Sequence, residues 1–361
     1  MATRREVIGG GLAAVSLPAA SSSGAAGRER FRLAVAGDYE GLAEKASWAD
    51  LGSDVDVVFF HEPFASDQET SKALQNFDAL ALMRERTPLS RRSIERLPRL
   101  KLIVFTGPSN STLDYQAAVD HGITVCNAQA AVVAPGGTAT AGGNSPAELA
   151  LALMLACAWR LPAADALVRR GGWAFHPGTP LRGKVLGIAG YGNLGKPVGA
   201  FGRALGMQVL GWSRSLTDEA ARADGITRTD LEGLLRQSDV VSIHLPLTAA
   251  TTGIVGAREI GWMKPGVILI NTARAPIVDQ AAMIDALRSG KIGMAGLDVF
   301  DQEPLRRGHP LLRLNNVVMT PHIGYVTEAS LSGMYGATLD VIAAYRQGNI
   351  KNRYQGPAER P

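Results

Sequence analysis

From position 31 onward, short apolar, β-rich runs alternate with stretches whose polar residues recur at helical spacing. The runs at 31–37, 55–60, 79–83, 101–105 and 123–126 predict five strands. Helices are predicted between them over 71–77, 90–96 and 113–120, with Ser90 as an N-cap and Gly122 as a stop after a helix ending near His121. A second series follows at tighter spacing, with strands over 184–189, 207–212, 239–243, 267–271, 294–298 and 317–319. Strand and helix in alternation argue for parallel sheets covered on both faces. Six strands in this rhythm fit a doubly wound fold, in which ligands sit at the carboxyl ends of the strands. Between the two series, Val132 to Ser145 is a loop of Pro, Gly, Thr and Ala, and Pro146-Ala147-Glu148 opens a strongly apolar helix over 149–160. That loop reads as a boundary, hinge or lid.

The first strand of the second series ends in Gly190-Tyr191-Gly192-Asn193-Leu194-Gly195, and a helical stretch follows. A strand ending in G-x-G-x-x-G turns tightly, exposes bare backbone to a pyrophosphate, and aims helix N–H groups at its charge. With 41 glycines in the chain the pattern alone would be weak. Its place between two predicted strands makes it a dinucleotide fingerprint. The second strand leads into Ser213-Arg214-Ser215, and Ser213 lies 18 positions past Gly195. There a carboxylate would receive the ribose 2′-OH of NAD. An arginine instead favours the 2′-phosphate of NADP, although NAD stays open because one residue rarely settles this preference.

Each later strand end carries a group with chemistry. After the fourth come Asn271, Thr272, Ala273 and Arg274; after the fifth, Asp298 and then Glu303; after the sixth, His322. Arg274 can fork onto a substrate carboxylate and polarise the adjacent carbonyl. An imidazole, with an ordinary pKa near 6.5, can hand a proton to the carbonyl oxygen as hydride reaches carbon. Glu303 can hold that imidazole in orientation. A lone histidine is more often structural; three such groups on successive strand ends point to one site that moves a hydride and a proton to a 2-keto acid.

Composition narrows the partners. The 361 residues, 46% hydrophobic, suffice for two ordinary cores. Net charge is +4 with both signs scattered, and the only basic blocks are pairs such as Arg91-Arg92 and Arg169-Arg170, which is no footprint for nucleic acid. Cys126 and Cys157 stand in apolar surroundings without metal-ligand spacing, so both read as core residues and no metal is expected. Residues 1–27 differ from the rest: Arg4-Arg5-Glu6 precede a short apolar run rich in glycine and alanine, then Ser21 to Ala26. The run is too short to span a bilayer. Its layout resembles a twin-arginine export signal, which places the protein outside the cytoplasm if the signal is used and inside it otherwise. Cleavage near Ala26 removes two positive charges and one negative, leaving +3.

The blocks 183–195, His244-Leu245-Pro246-Leu247-Thr248, Met263-Lys264-Pro265-Gly266, Asn271-Thr272-Ala273-Arg274, Leu297-Asp298-Val299-Phe300 with Glu303-Pro304, and Thr320-Pro321-His322-Ile323-Gly324 together resemble the D-isomer-specific 2-hydroxyacid dehydrogenases. The likeness runs from about Phe31 to Arg346. It implies Arg274, Glu303 and His322 as the catalytic three, Asp298 against the nicotinamide carboxamide, and Pro246, Thr272 and Ala273 lining the cofactor, NAD or NADP. It implies substrate contacts from Thr106, Gly107 and Asn110 beside Arg274. The implied architecture is a Rossmann domain over 148–326 and a discontinuous, flavodoxin-like substrate domain, formed by 28–147 and the return of 327–361. A homodimer through the region 149–173 follows by analogy. Two departures stand out: Pro108 and Ser109 replace a longer glycine-rich loop beside the expected carboxylate donors, and the glycine-rich segment 134–144 is longer than the family needs, which bears on closure of the cleft.

Three functions fit. The first is an NAD(P)-dependent enzyme interconverting a small 2-keto acid and a D-2-hydroxy acid. The second is a dinucleotide-sensing binding protein of the same fold without turnover. The third is an exported enzyme that keeps its cofactor bound while cycling one substrate against another.

Overall fold

The computed structural model describes residues 30–129, 144–173 and 176–356. The predicted export leader and positions 134–143 of the glycine-rich segment lie outside the described residues. Strands β1 (Phe31–Ala36), β2 (Val55–Phe60), β3 (Ala79–Leu82), β4 (Leu102–Thr106) and β5 (Thr124–Ala128) form an all-parallel sheet in the order β2-β1-β3-β4-β5. Helices α1 (Asp67–Leu74), α2 (Arg91–Ile94) and α3 (Tyr115–Asp120) fill the crossovers. Side chains set their starts: Ser66 accepts from Glu69 N, Ser90 from Ser93 N and Asp114 from Ala117 N. The Ser66 cap explains why α1 begins four residues before the predicted 71–77.

Alternate residues of this sheet enter two different cores. Leu33, Val35, Ala79, Ala81, Leu102 and Val104 face one side, where Leu331, Met334, Tyr335, Val341 and Ile342 of a later helix cover them. Ala34, Leu80, Leu82, Ile103 and Phe105 face the other, against Leu74, Ile94 and Ala117. With both faces buried the strands need no polar alternation, so they read in sequence as unbroken apolar runs.

The second sheet comprises β6 (Val185–Ala189), β7 (Gln208–Trp212), β8 (Thr227–Arg228), β9 (Val240–Ile243), β10 (Val267–Asn271), β11 (Ile292–Leu297) and β12 (Val317–Met319). All are parallel, in the order β12-β11-β10-β9-β6-β7-β8. It has seven strands where the sequence predicts six. The extra one, β8, is two exposed polar residues held by Leu210 and Gly211 of β7, and an edge of that kind carries no apolar signal. Chain direction across the sheet reverses between β6 and β9, the topological switch point where doubly wound folds take their ligands.

Helix α4 (Ser145–Trp159) packs on β10, β11 and β12, and Arg160, at φ +51°, breaks it into α5 (Leu161–Arg169). Helices α6 (Gly195–Ala204), α7 (Asp218–Ala223), α8 (Leu231–Gln237), α9 (Ala257–Trp262) and α10 (Gln280–Ser289) complete the layers. The chain then returns to the first sheet through α11 (Glu328–Arg346), capped by Thr327. Its Tyr335 hydroxyl donates to the fully buried Asp38 at 2.9 Å, and Arg346 bonds Leu51 O and Asp54. Each fully buried aliphatic side chain on this helix contributes roughly 1.5–3 kcal/mol relative to exposure. Among the described residues no single helix is long and apolar enough to cross a membrane. Cys126 and Cys157 are free and buried, and burial pushes the Cys157 thiol up to about 12.

Candidate active site

The glycine loop follows β6 directly, and three glycines in it answer to different constraints. Gly190 sits at φ +101°, and a Cβ there would lie 2.6 Å from the carbonyl carbon of His244. Any side chain would therefore push the loop off β9. At Gly195 a Cβ would fall 2.4 Å from Gly190 O, so the first turn of α6 could not close on the loop. Gly192 has nothing within 4 Å of its Cβ position: open space lies over bare backbone. Tyr191 is buried beneath the loop, its phenol pushed up to about 12 by burial, while Gly192 and Asn193 are exposed and Leu194 is half-buried. His244, whose ring bonds Ser242 Oγ at 2.8 Å, is pushed down to about 4 by burial and stays neutral at working pH.

Polar atoms beyond the loop lack partners. Ser213 Oγ after β7 and Thr272 Oγ1 after β10 are buried with no hydrogen bond from the protein. Unsatisfied buried hydroxyls cost about 1–3 kcal/mol each, so two of them around an open glycine cradle fit a polar ligand spanning the switch point. The residues present thus fit a dinucleotide. Arg214 and Ser215 are exposed, and among the described residues the Arg214 guanidinium has no partner. Pro246 is exposed, its carbonyl accepting from Thr251 Oγ1.

The strand ends beyond the cradle are braced from inside. Asn271 accepts from Ala273 N and donates to Arg274 O, holding the turn that carries Arg274. The Arg274 guanidinium donates to Ala273 O at 2.7 Å and lies 3.8 Å from Glu85 Oε1. Asp298, 1% exposed, accepts from Thr320 Oγ1 at 2.6 Å, Ile323 N at 2.8 Å and Gly324 N at 2.9 Å. Burial raises its carboxyl group, and those three donors oppose the shift. They tie down both ends of the loop that holds His322 at φ +54°, a left-handed conformation costly for a residue with a Cβ. His322 Nδ1 meets Glu303 Oε2 at 2.6 Å, and Phe300 N donates to the other Glu303 oxygen at 2.9 Å. With Nδ1 engaged, Nε2 is the ring nitrogen left for exchange with a substrate.

The loop after β4 is tied to the segment after β3. Thr106 Oγ1 accepts from Arg84 N at 2.8 Å, and Asn110 Nδ2 donates to Arg84 O at 2.9 Å. Their side chains therefore hold the backbone of Arg84, itself at φ +52°. A Cβ on Gly107, at φ +105°, would lie 1.9 Å from Arg84 Nη1, so the arginine packs over the glycine. The sequence reading missed the segment Arg84-Glu85-Arg86 after β3 and Tyr325 after His322. Tyr325 meets His322 edge to face at 5.6 Å, and the guanidinium groups of Arg84 and Arg86 lie 5.6 and 5.3 Å from its ring centre. Burial pushes its phenol up to about 12. The rule used on the second sheet, to inspect the residues just past each strand, finds this loop when applied to the first.

Residues 151–324 match the family model of the D-isomer-specific 2-hydroxyacid dehydrogenase NAD-binding domain. Over 71% of its length the chain is 38% identical to a glyoxylate reductase of Thermococcus litoralis, covering 77% of that protein. It is 37% identical to a D-3-phosphoglycerate dehydrogenase of Archaeoglobus fulgidus across 82% of this chain, but spans only 55% of that longer protein. The crystal structure of a phosphoglycerate oxidoreductase from Vibrio cholerae superposes with a TM-score of 0.79 at 30% identity, covering 88% of this chain and 99% of that one. The fold, the strand-end chemistry and these likenesses converge: the chain belongs to the D-isomer-specific 2-hydroxyacid dehydrogenase family.

Proposed function

We propose that this protein reduces a small 2-keto acid to the D-2-hydroxy acid, or runs the reverse, with Arg274, Glu303 and His322 as its catalytic residues. The observation that carries the reading is the 2.6 Å bond between His322 Nδ1 and Glu303, in a sheet whose glycine cradle fits a dinucleotide. A bound nicotinamide cofactor supplies or accepts the hydride. Gly190 to Gly195, Ser213, Thr272 and Pro246 would hold it. Arg274 takes the substrate carboxylate in its fork and polarises the neighbouring carbonyl. His322 gives its Nε2 proton to the C2 oxygen in reduction and removes it in oxidation, and Glu303 fixes the ring.

The exposed guanidinium of Arg214, flanked by Ser215, favours a 2′-phosphate, so NADP is the proposed cofactor. Trp159, Leu161, Val168 and Trp173, the last 81% exposed, make the region 159–173 the proposed dimer contact; sedimentation at the monomer mass would remove it. Export through residues 1–27 is proposed on Arg4 and Arg5, and wild-type protein found uncleaved in the cytoplasm would end that reading. The deciding experiment for function is steady-state assay of residues 28–361 with NADPH and NADH against a panel of 2-keto acids. Turnover of free cofactor is expected. Tight cofactor binding without turnover would instead identify a dinucleotide-sensing protein.

A further inference from the structure

At the carboxyl ends of β1 and β2, one histidine ring meets an oxygen at each of its nitrogens. His61 Nδ1 lies 2.9 Å from Asp38 O, and Nε2 lies 3.1 Å from Glu44 Oε1. A carbonyl oxygen and an ionised carboxylate oxygen only accept, so both nitrogens must donate, and only the imidazolium carries two N–H groups. Phe59, stacked on the ring with 11° between the planes, fixes its orientation. The charged groups facing the ring are the Asp38 carboxylate, with Oδ2 3.3 Å from Nδ1, and Glu44 from the single-turn helix Ala43–Lys45. From α11, Tyr335 donates to the other Asp38 oxygen. Asp38 also accepts from Leu42 N and Ala43 N, so ring and carboxylate together close the segment 37–45 into a knot.

We infer that His61 is a positioning residue: its doubly protonated ring clamps the segment 37–45, which sets Tyr325 beside His322, and substrate binding weakens when the ring gives up a proton. The inference rests on the proposed oxidoreductase reading. The segment grips Arg86 from three residues: Gly37 O and Glu40 take its guanidinium, and the Tyr39 hydroxyl donates to Arg86 O at 3.0 Å. Arg86 in turn lies 5.3 Å from the centre of the Tyr325 ring, which meets His322 edge to face. The exposed ion pair of Lys45 with Glu328, the first residue of α11, adds a weaker tie three positions beyond Tyr325. A neutral ring has one N–H. Kept on Asp38 O, it leaves Nε2 facing the Glu44 carboxylate, lone pair against lone pair, and the helix Ala43–Lys45 is released. The ring is 40% exposed, so its proton exchanges with solvent. The bond to Asp38 O does most to raise its proton affinity, and Glu44 adds to it. The clamp is therefore fully closed below about pH 6.5 and opens as pH rises through the raised value. His322 keeps its bond to Glu303 and its Asp298-braced loop on the other sheet, so the change falls on KM rather than kcat.

The test assays wild type, His61→Gln and Glu44→Gln with one 2-keto acid that wild type turns over, at about pH 6 and about pH 9, either side of the range in which the ring titrates. Titration of the catalytic groups is common to all three proteins and cancels in the ratio of variant to wild type. Glutamine at 61 carries its donors on one nitrogen and cannot meet both oxygens. The KM ratio of His61→Gln should therefore be at least about threefold at the lower pH, the scale of a partly exposed ion pair, and fall to about one at the higher. An amide at 44 can accept from the charged ring or donate to the neutral one. The KM ratio of Glu44→Gln should thus be about one at the lower pH and about one third or less at the higher. The kcat ratios should stay within about twofold of one. Any other pattern of the two KM ratios would overturn the inference while leaving the oxidoreductase reading in place. Absence of turnover with every 2-keto acid tried overturns both. Should thermal unfolding show that a variant has not folded, NMR titration of the His61 ring in wild type decides: a midpoint above about 6.5 supports the clamp, and one at or below it overturns the inference.

Discussion

The carboxyl ends of the two sheets solve different problems by different means. At the seven-stranded sheet the ligand site is made mostly of backbone: a glycine loop pressed against His244, an open space over Gly192, and turns braced by Asn271 and Asp298. At the five-stranded sheet the strand end carries charges in two pairs, Arg84 with Glu85 and Arg86 with Glu40, and both arginines lie against the Tyr325 ring. A dinucleotide is one unchanging ligand, which rigid backbone suits. The end of the first sheet is held instead by ion pairs between side chains, which a single substitution can alter.

The largest effects expected are on catalysis, where the two sheets meet. His322→Gln and Arg274→Ala should each lower kcat/KM by about 10²–10⁴-fold while cofactor binding, followed by fluorescence, persists. Glu303→Gln keeps the shape and should be milder. Near-normal turnover in either of the first two would detach the strand ends from the chemistry. The backbone half of the comparison is attacked by Gly190→Ala, which forces a Cβ into the His244 carbonyl at a positive φ. It should cost about 3 kcal/mol and abolish thermal stabilisation by cofactor, whereas a variant that binds normally would show the cradle to be pliable.

A smaller effect is expected where the cradle ends in a side chain. Arg214→Asp exchanges attraction for repulsion at the 2′-position and should swing preference toward NADH by about tenfold, since a charge-assisted contact is worth roughly 1.5–3 kcal/mol. Should wild type already prefer NADH and the variant match it, Arg214 serves solvent alone. The smallest concerns pH. His244 titrates near 4 when folded and near 6.5 when free, so the unfolded chain binds the extra proton between those values. Stability is then fully present above about pH 6.5 and is lost as pH falls toward 4, by about 1–3 kcal/mol at this partly exposed residue. Denaturant unfolding of His244→Asn should show a flatter slope in that window, and an identical slope would assign the pH dependence elsewhere.

The same division governs what the sequence revealed. Parallel strands buried on both faces leave unbroken apolar runs, so eleven of the twelve strands in the two sheets are visible in order, and only the two-residue edge Thr227–Arg228 is not. Glycine motifs and strand-end residues are local patterns, hence Gly190, Gly192 and Gly195 could be named with their reasons. Asn110 illustrates the limit. Its amide serves Arg84, 26 positions earlier, and no local pattern encodes that pairing. The Glu85 approach to Arg274 joins residues on different sheets, and only folding brings them together.

The chain from His322 into α11 gives one residue two anchors. Upstream, Gly324 N is fastened to Asp298 on the nucleotide-binding sheet; downstream, Thr327 caps a helix whose Leu331, Tyr335 and Ile342 are sunk in the core of the other sheet. On this crossing His322 is leashed to both halves by a tether whose free part is only two residues long. Any rotation of one sheet against the other must be taken up in Tyr325 and Val326 or transmitted to the His322 loop. Tyr325, whose ring meets His322 on one side and the Arg84 and Arg86 guanidinium groups on the other, lies on that tether, so strain passed along it reaches the histidine and the arginines together.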